Sequence, residues 1–140
     1  MKDWNSAIRL AYMSLLNSIG GGVKVFYGMA PDTQSSGDKY IVISTITSVE
    51  NSDKNSFDGN VSVLLDIIAL GNSVLNVADS ESMVTSVKAL INKENNPDLS
   101  PDFYCVSTEM TSDEQLNVIT STKTVLRRLI RFEHFIGQIT

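Results

Sequence analysis

The sequence predicts an α+β fold, a mainly antiparallel sheet of about five strands with two helices packed on one face. Two segments carry apolar residues at helical spacing, and five others are rich in β-branched residues or alternate apolar with polar ones. Their order along the chain is helix, three strands, helix, two strands. The connections between the first three strands are too short for a helical crossover, which favours antiparallel pairing of those strands.

The first predicted helix covers residues 3–19. Asp3 is a suitable N-cap, and the glycines at residues 20–22 end the helix because glycine adopts the left-handed C-terminal conformation at little cost. Its predicted apolar stripe is Trp4, Ile8, Ala11, Leu15 and Ile19. A second helix is predicted from the break at residues 71–73 to about Lys93. Its stripe is Val77, Val84, Val87, Leu90 and Ile91.

The predicted strands are short segments separated by polar runs. They cover residues 23–27, 39–49, 61–70, 103–110 and 121–137. In the third strand the odd positions form the predicted core face, namely Val61, Val63, Leu65, Ile67 and Ala69. Residues 111–120 are expected to be the loop between the last two strands. With no repeat and no linker, residues 1–140 are predicted to form one domain.

Composition and charge restrict the class of protein. Apolar residues make up 42% and charged residues 19%, and no apolar run is long enough to span a membrane. The N-terminus lacks the pattern of a signal peptide. Residues 1–122 have a net charge of −8, from seven basic and fifteen acidic residues, whereas residues 123–140 have +3. The acidic body argues against tight nucleic-acid binding. The opposite charges predict either head-to-tail contacts between copies or local pairing within one subunit.

Residue types that carry catalysis or hold metals are scarce. The chain has one His and one Cys, too few for a zinc site, and it lacks a nucleophile–base pair. We interpret Cys105 as a small buried side chain and His134 as a surface or interface residue. Asp66 lies in an apolar strand and is expected to be exposed or paired, with Arg128 as the suggested partner. The sequence therefore predicts a protein that is not an enzyme and needs no metal or cofactor.

A series of landmarks resembles the tail-completion, or tail-terminator, family of tailed bacteriophages. The segment "VKVFYGMAP" matches the family's strand-and-turn pattern, "KYIVISTIT" matches its next strand, and "VSVLLDIIALG" matches a strand that ends in glycine before a helix. The matching positions are Val25, Tyr27, Gly28, Pro31, Tyr40, Val42, Ile43 and Gly71. The resemblance covers residues 8–91. The polar loop at residues 29–39 and the basic last strand depart from the family pattern.

The resemblance implies a structural subunit of a homo-oligomeric ring, a hexamer or a dodecamer, at the head–tail junction of the virion. Such a protein is made in the cytoplasm of the host bacterium. Its implied partners are the adjacent portal or connector, neck or tail-tube proteins, and no membrane is involved. DNA would pass through the ring without specific binding, because six copies with a net charge of −5 carry about −30.

The polar loops and the basic strand are predicted to make the contacts between the subunits of such a ring. The candidate inter-subunit or partner contacts are Met29, Asp32, Gln34, Asp53, Lys54, Phe57, Arg127, Arg128 and Arg131. The candidate residues of the DNA channel are Asp53 and Asp58. The alternative function is that of a small intracellular ligand-binding or adaptor domain, which requires an apolar pocket with a few convergent polar groups.

Overall fold

The computed structural model describes residues 3–29, 39–51, 58–71, 75–119 and 124–139. Within these ranges the chain forms two helices and five strands, and the predicted α+β class is confirmed. In chain order the elements are α1 (Trp4–Asn17), β1 (Lys24–Tyr27), β2 (Lys39–Glu50), β3 (Asp58–Gly71), α2 (Leu75–Leu90), β4 (Phe103–Ile119) and β5 (Thr124–Gln138). The candidate residues Asp32, Gln34, Asp53, Lys54 and Phe57 lie outside the described residues.

The strands form one mixed sheet in the order β1-β2-β3-β5-β4. All neighbouring pairs are antiparallel except β1 and β2, which are parallel, so the prediction for the first two strands is wrong. A parallel neighbour requires the chain to return to the start of the strand. Because β1 has only four residues, that return is about 13 Å, a distance shorter than the reach of the eleven residues between Tyr27 and Lys39.

Both helices pack on the same face of the sheet, here called the covered face. The odd positions of β3 point to it, and the predicted residues from Val61 to Ala69 are almost completely buried there. Helix α1 begins where predicted, because the Asp3 carboxylate accepts a 3.0 Å hydrogen bond from the Asn5 amide. None of the described helices is long and apolar enough to cross a membrane.

The core side of each helix differs from the predicted stripe. In α1 the buried residues are Trp4, Ile8, Tyr12 and Leu16, and the predicted residues Ala11, Leu15 and Ile19 are only partly buried beside them. Among the described side chains of α2, the core residues are Met83, Val84 and Val87, whereas Val77 is exposed. The described core residues of α2 therefore lie in its second half.

Strand β4 is much longer than predicted. Residues 111–119, expected in a loop, continue the strand and pair with β5 as far as Ile119, which lies opposite Thr124. The segment resembles a loop in sequence because β4 is an edge strand, and most side chains of its second half are exposed. Two register shifts interrupt the pairing, between Cys105 and Ser107 and between Met110 and Ser112.

The other face of the sheet, here called the open face, has no described helix over it. The even positions of β3, from Asn60 to Leu70, point to it. A small apolar cluster lies at one end of this face, formed by Tyr40, Val42, Ile68 and Leu70 with Phe26 and Val125 partly buried beside them. The rest of the face is polar or half-buried.

Candidate functional site

The three basic candidates of β5 lie on different faces of the sheet. Because side chains alternate along a strand, Arg127 and Arg131 point to the open face and Arg128 points to the covered face. Arg127 donates to both oxygens of the Asp66 carboxylate, at 3.3 Å from Nε and 2.6 Å from Nη2. The suggested pairing of Asp66 with Arg128 is therefore wrong.

Arg128 instead binds Asp113, a residue of the segment that was expected to be a loop. The guanidinium donates to both carboxylate oxygens, and Lys88 from α2 donates to Oδ2 at 2.8 Å. Hydrogen bonding by Arg128 is the main reason that the pKa of Asp113 is lowered to about 2. This cluster joins α2, β4 and β5. Arg127 and Arg128 therefore each have an acidic partner within the same chain, Asp66 and Asp113 respectively.

Three other candidate residues are described, at separate places in the molecule. Arg131 is half-buried, and its backbone carbonyl accepts a hydrogen bond from the Thr111 hydroxyl. Met29 follows β1 and is 80% exposed, at the rim of a cavity of about 380 Å³ on the open face. Asp58 begins β3, opposite Gly137. The roles proposed for these residues in subunit contacts or a channel stay predictions.

His134 is completely buried, so its interpretation as a surface or interface residue is wrong. It lies on the covered face of β5, and its ring bonds α1 on one side and β4 on the other. Nε2 is 2.5 Å from the Tyr12 hydroxyl, and Nδ1 is 3.0 Å from Thr108 Oγ1. This burial could not be predicted from the sequence, because a histidine between polar and aromatic residues at the end of a strand is compatible with a surface or a core position.

The hydrogen-bond partners fix the tautomer of this histidine. Thr108 donates its hydroxyl hydrogen to Asn96 Oδ1 at 2.7 Å, so its oxygen accepts from Nδ1–H of His134. Nε2 is then the acceptor for the Tyr12 hydroxyl. Burial lowers the pKa of His134 to about 4 and raises the pKa of Tyr12 well above its usual value. The imidazole is therefore neutral at pH 7 and links two strands, a helix and the segment after α2.

This polar cluster contains residue types that occur in catalytic sites, but the side chains of His134 and Tyr12 are completely buried. A cavity of about 560 Å³ lies between α1 and residues 98–103, and neither His134 nor Tyr12 lines it. Cys105 is half-buried 3.8 Å from His134 Nδ1, and burial raises the pKa of its thiol. Across the described ranges, no three His, Cys, Asp or Glu side chains are grouped to hold a metal ion. The geometry is that of a structural network.

The two edges of the sheet are the most distinctive surfaces in the described part of the chain. Strand β4 forms one edge, and β1 with the second half of β2 forms the other. Several large apolar side chains are exposed along β4, including Val106, Met110 and Leu116. Our sequence interpretation missed this surface because Thr, Ser, Asp and Glu follow Met110. The absence of Gly and Pro from residues 103–119 was the available signal for one continuous strand.

Comparison with known proteins gives a match in structure. No family model matches the chain, and no curated protein matches it. Among solved structures, 22 chains match. One of them belongs to a structure described as the virion of a native gene transfer agent (GTA) particle, with 15% identity and a TM-score of 0.57. The similarity covers 86% of this chain and 84% of that chain. At this identity it shows a shared fold.

Proposed function

We propose that the protein is a structural subunit of the virion of a tailed phage or phage-like particle, where it forms a ring at the head–tail junction. The observation that carries the proposal is the shared fold with a chain of a gene transfer agent virion. Because the similarity covers more than four fifths of both chains, it involves the whole domain and not a common supersecondary motif. In this proposal the protein is not an enzyme and binds no cofactor.

The charge of the chain supports a channel for DNA. A net charge of −5 per subunit gives about −30 for a hexamer and about −60 for a dodecamer. Negative charge around the channel repels the DNA phosphates, so the genome passes without binding. This net charge already includes Arg127 and Arg128, each of which is paired with a carboxylate of its own subunit.

The shape of the sheet supports ring formation. A ring requires that one surface of each subunit contact a different surface of the next. The two unlike edges of this sheet, a 17-residue strand on one side and a four-residue strand on the other, provide two such surfaces. The ring would join the tail to the portal or connector, or to a neighbouring neck protein.

The mass of the assembled protein tests the ring. Light scattering after size-exclusion chromatography should give about 92 kDa for a hexamer or about 180 kDa for a dodecamer of 15.3 kDa subunits, and negative-stain images should show rings. The measurement should be repeated with co-expressed neck or portal proteins. A protein that stays monomeric alone and with these partners contradicts the proposal and favours the ligand-binding or adaptor alternative.

The position in the particle needs a separate experiment. Antibody-gold labelling of purified particles should mark the head–tail junction, with particles lacking the protein as the control. Label along the tail tube or over the capsid contradicts the junction. Retention of duplex DNA by the isolated protein at physiological salt contradicts the proposed passage without binding.

A further inference from the structure

In the described part of the chain, no strand pairs with the outer edge of β4. Its 17 residues have β5 as a neighbour on one side, and no described strand lies along the other. In an antiparallel ladder, alternate residues direct both the N–H and the C=O away from the partner strand. The outer edge of β4 therefore presents backbone donors and acceptors that another strand can pair with. Near its start, the Asn96 amide lies 3.4 Å and 3.5 Å from the carbonyls of Cys105 and Val106, so this short part of the edge is covered.

Exposed apolar side chains concentrate on the two edges of the sheet. Ten large apolar side chains are exposed among the described residues, and six of them are on an edge. These six are Tyr104, Val106, Met110 and Leu116 on β4, Tyr27 on β1, and Val49 on the part of β2 that extends beyond β1. Single exposed apolar residues are ordinary, but their grouping along two opposite edges indicates contact surfaces.

The exposed charges of the edge strands β4 and β1 are opposite, whereas Glu50, exposed at the end of β2, lies opposite Gly59 and points to the covered face. Glu109 and Glu114 are exposed on β4, and Lys24 is exposed on β1. All three side chains point to the open face: Glu109 lies opposite Glu133, Glu114 lies opposite Leu129, and Lys24 lies opposite Tyr40. If two subunits joined edge to edge in one continuous sheet, the acidic and basic side chains would be on the same side.

The strand directions allow two subunits to join edge to edge in one continuous sheet. Strand β1 runs parallel to β2, which is antiparallel to β3, and β4 ends the series β3, β5, β4 of antiparallel neighbours. Strands β1 and β4 therefore run in opposite directions. A second copy rotated about an axis parallel to the strands presents its β1 antiparallel to β4 of the first copy. Repetition of that rotation closes a ring.

We propose that β4 of one subunit pairs with the β1 edge of the next subunit, with Glu109 and Glu114 facing Lys24 across the boundary. This contact rests on the proposed ring and names the surfaces that build it. The occupant of the β4 edge is a second copy of this chain in a head-to-tail arrangement. A symmetric pair of two β4 strands is disfavoured because it brings the acidic side chains of both copies together on one face.

Charge reversal tests the contact. The first variant is Glu109→Lys with Glu114→Lys, the second is Lys24→Glu, and the third combines all three changes in one chain. Each single-edge variant should raise the apparent dissociation constant of the assembly by about tenfold or more, because like charges then face each other. The combined variant, and an equimolar mixture of the first two, should regain assembly because opposite charges meet again.

Matched controls separate the contact from folding and from net charge. Glu81→Lys with Glu94→Lys makes the same change in charge as the first variant, at exposed positions in α2 and just after it, and should leave assembly unchanged. Urea denaturation of each variant shows whether the subunit is still folded. Assembly of the wild type is measured by light scattering at low and high salt, and the variants are compared with it at low salt, where exposed charges are screened least.

The outcomes distinguish this contact from the ring itself. A wild type that never assembles contradicts the ring, and with it the contact. A wild type that forms rings, with single-edge variants that assemble equally well, overturns the edge contact and leaves the ring intact. Folded single-edge variants that fail to assemble, with no recovery in the combined variant or in the mixture, also overturn the pairing of these two edges.

Discussion

The two faces of the sheet differ in how deeply their side chains are buried and in how their polar residues are bonded. On the covered face, Leu65 and Ile67 are fully buried under the helices, and the polar residue His134 has a hydrogen-bond partner at each ring nitrogen. On the open face, Asp66 is held by one arginine, and neighbours such as Leu64 are only half-buried. The difference teaches that the folding energy of the described residues comes mainly from the covered face, where the larger of the two apolar clusters lies.

Truncation of a side chain on each face gives the largest expected contrast. Leu65→Ala removes a fully buried side chain beneath the helices and should lower the free energy of unfolding by about 2–5 kcal/mol. Leu64→Ala, the adjacent residue on the open face, should cost about 1 kcal/mol, since this side chain keeps part of its solvent contact when folded. Urea denaturation at pH 7 measures both. Equal losses would contradict the assignment of the core to the covered face.

Acid should destabilise the covered face through His134. Its pKa is about 4 in the folded protein and 6.5 in an unfolded chain, so between these values the unfolded state binds a proton that the folded state does not. Stability is therefore complete above pH 6.5 and falls as the pH drops to 4, by about 3 kcal/mol in total. The lowered pKa of Asp113, about 2, contributes a loss only at still lower pH.

His134→Gln is the control for this pH dependence. Glutamine does not titrate, so the variant should lack most of the wild-type loss between pH 6.5 and 4, even where its stability at pH 7 is lower. Unfolding in urea at half-unit pH steps measures the slope. The same slope in both proteins would assign the loss to other groups.

Substitutions at two glycines, one on each face, test how closely the two faces are packed. A Cβ at Gly59 on the covered face would lie 2.5 Å from Trp4 Cη2 and 2.8 Å from the Val49 carbonyl oxygen. A Cβ at Gly137 on the open face would lie 2.5 Å from the ring of Tyr104, a side chain that is 47% exposed. The Tyr104 side chain can rotate into solvent to make room, whereas the buried Trp4 indole and the Val49 backbone cannot move away.

Gly59→Ala should therefore cost about 1–3 kcal/mol, and Gly137→Ala less than about 1 kcal/mol. Thermal unfolding followed by circular dichroism measures both substitutions, and near-ultraviolet signals report the environment of Trp4. A larger loss for Gly137→Ala would show that the open face is packed as tightly as the covered face.

The predictable parts of this protein were those with a strong local pattern. The alternation from Val61 to Ala69 was sufficient to identify a core strand, and Asp3 was sufficient to locate the start of α1. The weaker predictions involved partners distant in sequence. Nothing local to Asp66 indicates that Arg127 binds it and Arg128 does not, because that choice depends on which face each arginine of β5 occupies.

Residues 111–119 also show that a local sequence pattern is insufficient where pairing with a distant strand determines the structure. An edge strand needs no apolar face of its own, so its polar residues are compatible with a loop until β5 supplies the pairing partner. The parallel pairing of β1 with β2 could not be predicted either, because the sequence of a four-residue strand does not indicate the direction of its neighbour. The candidates Asp32, Gln34, Asp53, Lys54 and Phe57 lie outside the described residues, and their roles stay predictions.

The sequence by itself determined the α+β class, the order of the elements and the core face of β3, because hydrophobic periodicity is a local property. Only the tertiary structure decided the strand order, the burial of His134 and the partners of the two arginines. It also left two unlike edges exposed at opposite ends of the sheet. The physical reason is that hydrogen bonds and ion pairs between distant strands depend on register and direction, which no single segment encodes.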